Sequence, residues 1–331
     1  MEPLLQVKDL RTSFFTHYGE VQALRGVSFS VYPQEVVGVI GESGCGKSVT
    51  ALSIMRLLAS QGRIKSGEVL FKGQDLLKLS SKEMAKLRGR KISMVFQDSM
   101  ASLNPVFTVG AQMEDLLRYH THMTKAQAKE RTKELLGLVG ISEPEKRMND
   151  YPHQLSGGQR QRIMIAMALS SEPELLLADE PTTALDVTIQ AQILRLIRDL
   201  TEKLSTAVVL ITHDLGVIAN MCSRVVVMYG GQVMEQGSVQ EIFDHPLHPY
   251  TQGLLKTILD LDTKGQEELF CMDGLPPSLL NPPKGCPFAR RCPRAMKICG
   301  EQSPEFFGSQ SHNARCHLLD EACPVKGGNV W

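Results

Sequence analysis

The stretch VVGVIGESGCGKSV, residues 36–49, opens on a short apolar run of branched residues. Such a run is typical of a buried strand, and the glycine-rich loop after it leads into a helical pattern. Glycines permit positive φ angles, so that backbone amides can reach phosphate oxygens. We expect Lys47 to reach the β and γ phosphates and the Ser48 hydroxyl to ligate Mg²⁺. A plain glycine-rich turn does not account for the complete pattern. The candidate phosphate-binding residues are Gly41, Glu42, Ser43, Gly44, Cys45, Gly46, Lys47, Ser48 and Val49.

Short apolar runs recur along the chain and predict further buried strands. The predicted strands are 36–40, 92–96, 175–178, 208–211 and 225–228. Helical patterns lie between several of them, at 48–58, 125–139 (with Thr124 as a cap) and 189–204. The alternation predicts an α/β fold with a mainly parallel core sheet.

The size and composition of the chain limit the classes of protein to which it can belong. A chain of 331 residues exceeds one ordinary hydrophobic core, which predicts a large domain with a smaller one appended. Basic and acidic residues number 36 each, so the overall charge does not favour a nucleic-acid partner. The N-terminus lacks the pattern of a secretory signal, and no run approaches the roughly 20 apolar residues of a membrane-spanning helix. We therefore expect a soluble, cytoplasmic protein with reduced thiols.

The run LLLADE, residues 175–180, is an apolar strand that ends in two carboxylates. In nucleotide-binding sheets, the polar end of such a strand lies beside the phosphate loop. We expect Asp179 to hold Mg²⁺, directly or through water, and Glu180 to polarise the attacking water. A strand followed by two acids is a weak indication by itself and gains its weight from the phosphate loop.

The run LSGGQRQR, residues 155–162, predicts a second anion site. Ser156 caps a helix whose first turn, with Gly157 and Gly158, offers amide donors and the positive end of the dipole. One chain cannot easily direct both anion sites at one γ-phosphate, so we expect this one to complete a nucleotide held by another subunit. For an isolated S-G-G, an ordinary serine cap would be the simpler interpretation.

In their order, these motifs resemble those of the ATP-binding subunits of ABC transporters, over about residues 4–260. The resemblance is carried by the phosphate loop 41–48, Gln97 in VFQD, LSGGQ at 155–159, LLLADE at 175–180, TALD at 183–186 and His213 in ITHD. It implies a P-loop NTPase (ABC ATPase) core with an antiparallel β subdomain and an α-helical subdomain at about 98–165. It also implies a head-to-tail dimer that holds two ATP molecules between the phosphate loop of one subunit and the signature of the other.

The resemblance assigns roles to single residues. Gln97 would contact Mg²⁺ and sense the membrane partner, Asp186 would lie at the dimer seam, and His213 would touch the γ-phosphate. An aromatic ring would stack on adenine, with Phe14 and Tyr18 as candidates that are alternatively core aromatics. The signature residues that would contact the partner's nucleotide are Ser156, Gly157, Gly158 and Gln159.

Two further segments resemble the peptide and nickel importer branch. They are DSMASLNPVFTVGAQ, residues 98–112, and HPLHPYTQGLL, residues 245–255. In this family the helical subdomain docks short cytoplasmic helices of the permeases. Without the resemblance, HPLHPY would be a proline-punctuated loop with two surface histidines.

The segment after residue 261 is rich in proline and holds six of the eight cysteines. Cys286, Cys292, Cys299 and Cys316 are separated by five, six and sixteen residues, without the C-x-x-C pair common in structural zinc ribbons. Four thiolates also hold iron–sulfur clusters, and the C-terminal extension of peptide importer ATPases resembles this segment and carries a [4Fe-4S] cluster in some members. Zn²⁺ and unliganded thiols are the alternatives. Cys45 is interpreted as a small filler or, at a helix N-terminus, a sensitive thiol.

The resemblance thus implies an ATPase, with ATP and Mg²⁺, that lies at the cytoplasmic face of the inner membrane and powers the import of short peptides. The expected partners are a related ATPase subunit or a second copy, two permeases and, indirectly, an external binding protein, with no nucleic acid. A nickel chelate or glutathione remains an alternative cargo. A soluble ABC ATPase of repair or translation is the competing class. We place the ATPase domain at 1–260 and the C-terminal extension at 261–331.

Overall fold

The computed structural model describes residues 2–98, 102–183, 185–257 and 272–323. Its contacts divide the chain into two compact units. The first comprises Met1–Leu4, Val31–Val36 and Lys78–Ile211, and the second comprises Leu5–Ser30, Val37–Leu77 and Thr212–Trp331. The domain boundary predicted at residue 260 falls outside the described residues and stays a prediction.

The strands and helices follow one another in the described ranges as an α/β chain. The strands are β1 Leu5–Thr16, β2 Gly19–Val31, β3 Val36–Ile40, β4 Gly62–Phe71, β5 Gln74–Asp75, β6 Ile92–Val95, β7 Leu175–Asp179, β8 Ala207–Ile211, β9 Arg224–Tyr229, β10 Gln232–Ser238, β11 Phe306–Gly308 and β12 Asn313–Arg315. The helices are α1 Lys47–Ile54, α2 Ser81–Leu87, α3 Val109–Thr121, α4 Lys125–Leu138, α5 Pro144–Arg147, α6 Gly157–Leu169, α7 Val187–Leu204, α8 Leu215–Met221, α9 Val239–Asp244, α10 Pro249–Lys256 and α11 Lys297–Glu301.

The first unit contains the parallel strands β8, β7 and β6, in that order. Every residue of these strands is buried, which explains their continuous apolar runs. The long helix α7 buries Ile193 and Ile197 at helical spacing, and Asp186 caps its N-terminus. The predicted strands are confirmed, as is the cap Thr124, whose hydroxyl accepts from Gln127 N in a capping box.

The second unit contains two sheets. In one, β1 pairs antiparallel with β4, and β4 with β5, which confirms the antiparallel β subdomain. In the other, β3 pairs parallel with β9, while β10 and β12 extend the sheet antiparallel. The helix predicted at 48–58 is shorter, because α1 ends at Ile54 and Arg56 takes a left-handed φ of 52°.

The segment 272–323 shares a hydrophobic core with β9, β10 and helices α8 to α10. Tyr229, Tyr250 and Phe288 are at most 1% exposed and form three mutual ring contacts, with centroids 4.6–5.4 Å apart. Cys286 and Met296 belong to the same core. Aromatic side chains bury much apolar surface, so this cluster anchors the cysteine-rich segment to the sheet.

Candidate functional site

The phosphate loop connects β3 to α1, and its glycines are required by the backbone. Gly41, Gly44 and Gly46 have φ angles of 151°, 77° and 105°, which L side chains rarely adopt. A Cβ on Gly41 would lie 2.1 Å from the Met228 carbonyl oxygen. The backbone between β3 and α1 therefore favours glycine at these three positions, and at Gly41 a side chain would also clash.

Lys47 is held over this loop. Its side chain is 5% exposed, and Nζ donates to the carbonyl oxygens of Gly41 at 2.7 Å and Glu42 at 3.2 Å. Ser48 and Val49 lie in the first turn of α1, whose N-terminus receives no side-chain cap. Uncapped amides at a helix start, together with an ammonium group, form a site that favours a phosphate anion.

Two neighbours from the C-terminal part of the chain hold the loop at Glu42. The Glu42 amide donates to the Tyr250 hydroxyl at 2.9 Å, and the carboxylate accepts from Arg291 Nη1 at 2.7 and 3.0 Å. Cys45 is buried, and desolvation raises the pKa of its thiol against the opposing effect of Lys47. This favours the small-filler interpretation of Cys45 over the sensitive thiol.

In the first unit, the end of β7 brings together three of the predicted polar residues. Asp179 is 5% exposed. Glu180 follows with a left-handed φ of 44°, and its Oε2 accepts from Gln97 Nε2 at 3.0 Å and Thr183 Oγ1 at 2.8 Å. A strained backbone at a carboxylate is a feature found at functional sites. The family resemblance predicts that Gln97 contacts Mg²⁺. Its hydrogen bond to Glu180 was not predicted from the sequence.

The signature begins α6 as predicted. Ser156 is exposed and forms a capping box with Gln159. The backbone amide of Gln159 donates to Ser156 Oγ at 3.3 Å. A Cβ on Gly158 would lie 2.9 Å from Ile189 Cγ2, whereas a Cβ on Gly157 would meet nothing closer than Leu185 at 3.7 Å. Packing within this chain therefore explains the glycine at 158 but not the glycine at 157.

The remaining predicted residues have distinct settings. Phe14 is half-buried in β1 opposite Gly62, where a Cβ would lie 2.9 Å from the Phe14 ring. Tyr18 lies between β1 and β2 and is 78% exposed. His213 is exposed just before α8. Asp186 accepts from Ile189 N at 2.9 Å as the cap of α7.

The four cysteines of the C-terminal segment line one small cavity of about 10 Å³. Burial raises the pKa of Cys286 to about 12 and of Cys316 to about 11, and it also raises the pKa of Cys292. Within the described ranges, no group of three or more His, Cys, Asp or Glu side chains is arranged to hold a metal ion. Cys271 lies outside the described residues.

The segment HPLHPY is not a loop with two surface histidines, because only one of its histidines lies at the surface. His245 is exposed, but His248 is 1% exposed, and its Nδ1 accepts from the Tyr250 amide at 2.9 Å. Glu235, fully buried, accepts from the amides of Leu247 and His248 at 2.7 and 2.9 Å. The segment thus fixes Tyr250, whose hydroxyl contacts the phosphate loop.

Removal of the Glu235 carboxylate should destabilise this arrangement. Glu235→Ala leaves the partly buried amide of Leu247, the buried amide of His248 and the His312 ring nitrogen, 2.8 Å away, without their partner. We expect a loss of about 3 kcal/mol or more in the free energy of unfolding, measured by urea denaturation. The control is Glu202→Ala, an exposed position on α7; equal stabilities of the two variants would contradict the assigned role.

Comparisons with known proteins agree with this architecture. A family described as ABC transporter matches residues 24–183, and one described as Oligopeptide/dipeptide transporter, C-terminal region, matches residues 234–299. The oligopeptide transport ATP-binding protein OppD of Bacillus subtilis is 54% identical over 97% of this chain and 90% of its own. The dipeptide transport ATP-binding protein DppD of the same organism is 52% identical over 97% and 96%.

Among solved structures, the ATP-binding cassette MJ0796, described as a dimer in a post-hydrolysis state bound to ADP and Pi, has a TM-score of 0.64. It is 30% identical, covering 71% of this chain and 98% of that one. The fold and the ordered motifs thus define an ABC ATPase, which couples ATP hydrolysis to transport and uses ATP with Mg²⁺. The chain belongs to the ABC transporter family, in the branch with the oligopeptide/dipeptide transporter C-terminal region. In the described part of the chain, no helix is both long and apolar enough to cross a bilayer.

Proposed function

We propose that this ATPase powers the import of short peptides. The observation that carries the proposal is the similarity over nearly the whole chain to oligopeptide and dipeptide transport ATP-binding proteins, including the C-terminal region. The ATPase domain would comprise residues 1–260 and the extension residues 261–331. A nickel chelate or glutathione is the alternative cargo within the branch.

The catalytic roles follow the motifs. The loop 41–48 holds the triphosphate through its amides and Lys47. Ser48, Gln97 and Asp179 contact Mg²⁺, directly or through water. Glu180 polarises water for in-line attack on the γ-phosphate, and His213 contacts that phosphate. The hydrogen bond from Gln97 to Glu180 supports this assignment, because it fixes the orientation of the carboxylate.

The signature of one subunit completes the nucleotide site of its partner. Gly157 supports this, because nothing in its own chain crowds the position. A glycine there lets a phosphate approach the helix N-terminus closely. Ser156, Gly158 and Gln159 contribute to the same surface, and Asp186 lies at the dimer seam.

Tyr18 stacks on adenine. Its ring is exposed, whereas Phe14 packs against Gly62 within its own sheet. An exposed aromatic at the turn between two strands is available to a planar base. The partners are a related ATPase or a second copy and two permeases at the cytoplasmic face of the inner membrane, with an external binding protein that supplies the cargo.

The test is reconstitution with the membrane subunits that copurify with this chain, in liposomes that contain the purified binding protein. We expect ATP-dependent uptake of labelled di- and oligopeptides and stimulation of the ATPase by peptide-loaded binding protein. If the liposomes take up a nickel chelate or glutathione and no peptide, that compound is the cargo. Failure to copurify with any membrane subunit would contradict transport.

We propose that Cys286, Cys292, Cys299 and Cys316 hold a [4Fe-4S] cluster. Four cysteines on one cavity fit the donor set of such a cluster, although their present positions do not form a preassembled ion site. A thiol ligates as the thiolate, and the positive charge of the iron offsets the raised pKa values. The group would act as a structural staple for a segment poor in helices and strands.

Anaerobically purified protein should absorb near 400 nm and contain about four iron and four sulfide per chain. Cys292→Ser should lose the absorbance, whereas Cys222→Ser, outside the cavity, should retain it. One zinc per chain and no iron would establish the zinc alternative, and a chain free of both metals would leave the thiols unliganded.

A further inference from the structure

The phosphate loop contains a carboxylate, which is unfavourable beside a polyanion. Glu42 directly follows Gly41 in the loop, and its side chain is 23% exposed. An uncompensated negative charge there would repel the triphosphate, because Coulomb repulsion extends over several ångströms at the effective dielectric constant of a protein surface. A loop that binds ATP with this residue needs a cation that engages the carboxylate.

Arg291 supplies that cation from the C-terminal extension. Its side chain is 7% exposed, and Nη1 lies 2.7 and 3.0 Å from the two carboxylate oxygens of Glu42. The same nitrogen donates to the Tyr229 hydroxyl at 2.9 Å. A guanidinium group stays charged in proteins, so the pair persists across the physiological pH range.

The extension also fixes the orientation of Arg291. Nε donates to the Asp273 carbonyl oxygen at 3.0 Å and Nη2 to the Met272 carbonyl oxygen at 3.2 Å. The residue ends the short helical turn Ala289–Arg291, directly before Cys292. Nε and Nη2 are thus engaged by the extension, while Nη1 contacts both Tyr229 and Glu42 of the loop.

We propose that Arg291 is a positioning residue for nucleotide binding: it neutralises and orients the Glu42 carboxylate, so that ATP affinity depends on the C-terminal extension. The proposal rests on the phosphate loop as the nucleotide site. It goes beyond that role, because it gives the extension a direct effect on the first step of the ATPase cycle. Breaking this partly buried pair leaves the carboxylate uncompensated, whereas removing both charges together is less unfavourable.

The test measures the ATP dissociation constant of the full chain by calorimetry. Arg291→Met should weaken ATP binding about tenfold, the size expected for one uncompensated charge near a polyanion. The double variant Glu42→Gln/Arg291→Met should return to within about threefold of wild type. The control Arg290→Met, at the exposed neighbouring arginine, should bind ATP as wild type does.

Two outcomes overturn the proposal: Arg291→Met binding ATP within twofold of wild type, or a double variant no better than Arg291→Met. The second would mean that Arg291 serves only the stability of the extension. If Arg291→Met does not fold, Glu42→Gln/Arg291→Met is compared with Glu42→Gln/Arg290→Met. Equal affinities support a role through Glu42, and a tenfold difference excludes it. Lys47→Ala with unchanged affinity would instead refute the nucleotide role of the loop itself.

Discussion

Replacing Glu180 by glutamine is expected to preserve ATP binding and to lower the ATPase rate of the assembled transporter by about 100-fold or more. An amide of the same shape keeps an oxygen for Thr183 but cannot accept the proton of the attacking water. The positive φ of Glu180 is unchanged by the substitution, so the loop geometry is retained. The measurement is steady-state phosphate release, with ATP binding determined in parallel.

The matched control for this experiment is Glu202→Gln, an isosteric change at an exposed position of α7. It removes one carboxylate from the same unit and should leave the rate unchanged. A Glu180→Gln transporter that hydrolyses ATP at the wild-type rate would refute the role assigned to Glu180. A variant that no longer binds ATP would show that the carboxylate acts before the chemical step.

Replacing Lys47 by alanine should weaken nucleotide binding, with an ATP dissociation constant raised about 100-fold, equivalent to about 2.7 kcal/mol. The change removes the ammonium group that is held 2.7 Å from the Gly41 carbonyl oxygen. It also leaves the carbonyl oxygens of the loop without their donor, which favours other loop conformations. Calorimetric titration with Mg²⁺–ATP measures the effect directly.

Lys82→Ala, at an exposed position of α2, is the control for a loss of one positive charge. Its ATP affinity should match that of wild type, because an exposed charge is screened by water and salt. Wild-type affinity of Lys47→Ala would contradict the phosphate loop as the binding site. A lower melting temperature together with normal affinity would assign Lys47 to folding alone.

The C-terminal part of the chain contacts the phosphate loop in ways that no motif describes. Glu235 fixes the turn before α10, the turn places Tyr250, and the Tyr250 hydroxyl accepts from the Glu42 amide. Arg291 reaches the side chain of the same residue. Two separate segments thus contact one loop position, which links the stability of the extension to the geometry of the loop.

Much of the site could be predicted from the sequence because its parts are local. A loop such as GESGCGKS needs glycine for its own φ angles, and Ser156 caps the helix that follows it directly. Buried parallel strands can be recognised in a sequence as continuous apolar runs. The strand positions, the cap Thr124 and the family were therefore predictable. The end of α1 was not, because the left-handed turn at Arg56 has no glycine to mark it.

Only the tertiary structure decided the long-range contacts. Arg291 and Glu42 are 249 positions apart, and nothing in either neighbourhood specifies the other. The burial of His248 and Glu235 likewise depends on packing among β10, the turn before α10 and His312. Short-range patterns report backbone conformation and burial along one segment, whereas ion pairs between distant segments arise from the folded arrangement of the whole unit. The sequence by itself determined the nucleotide chemistry, and the fold determined that the C-terminal extension reaches it.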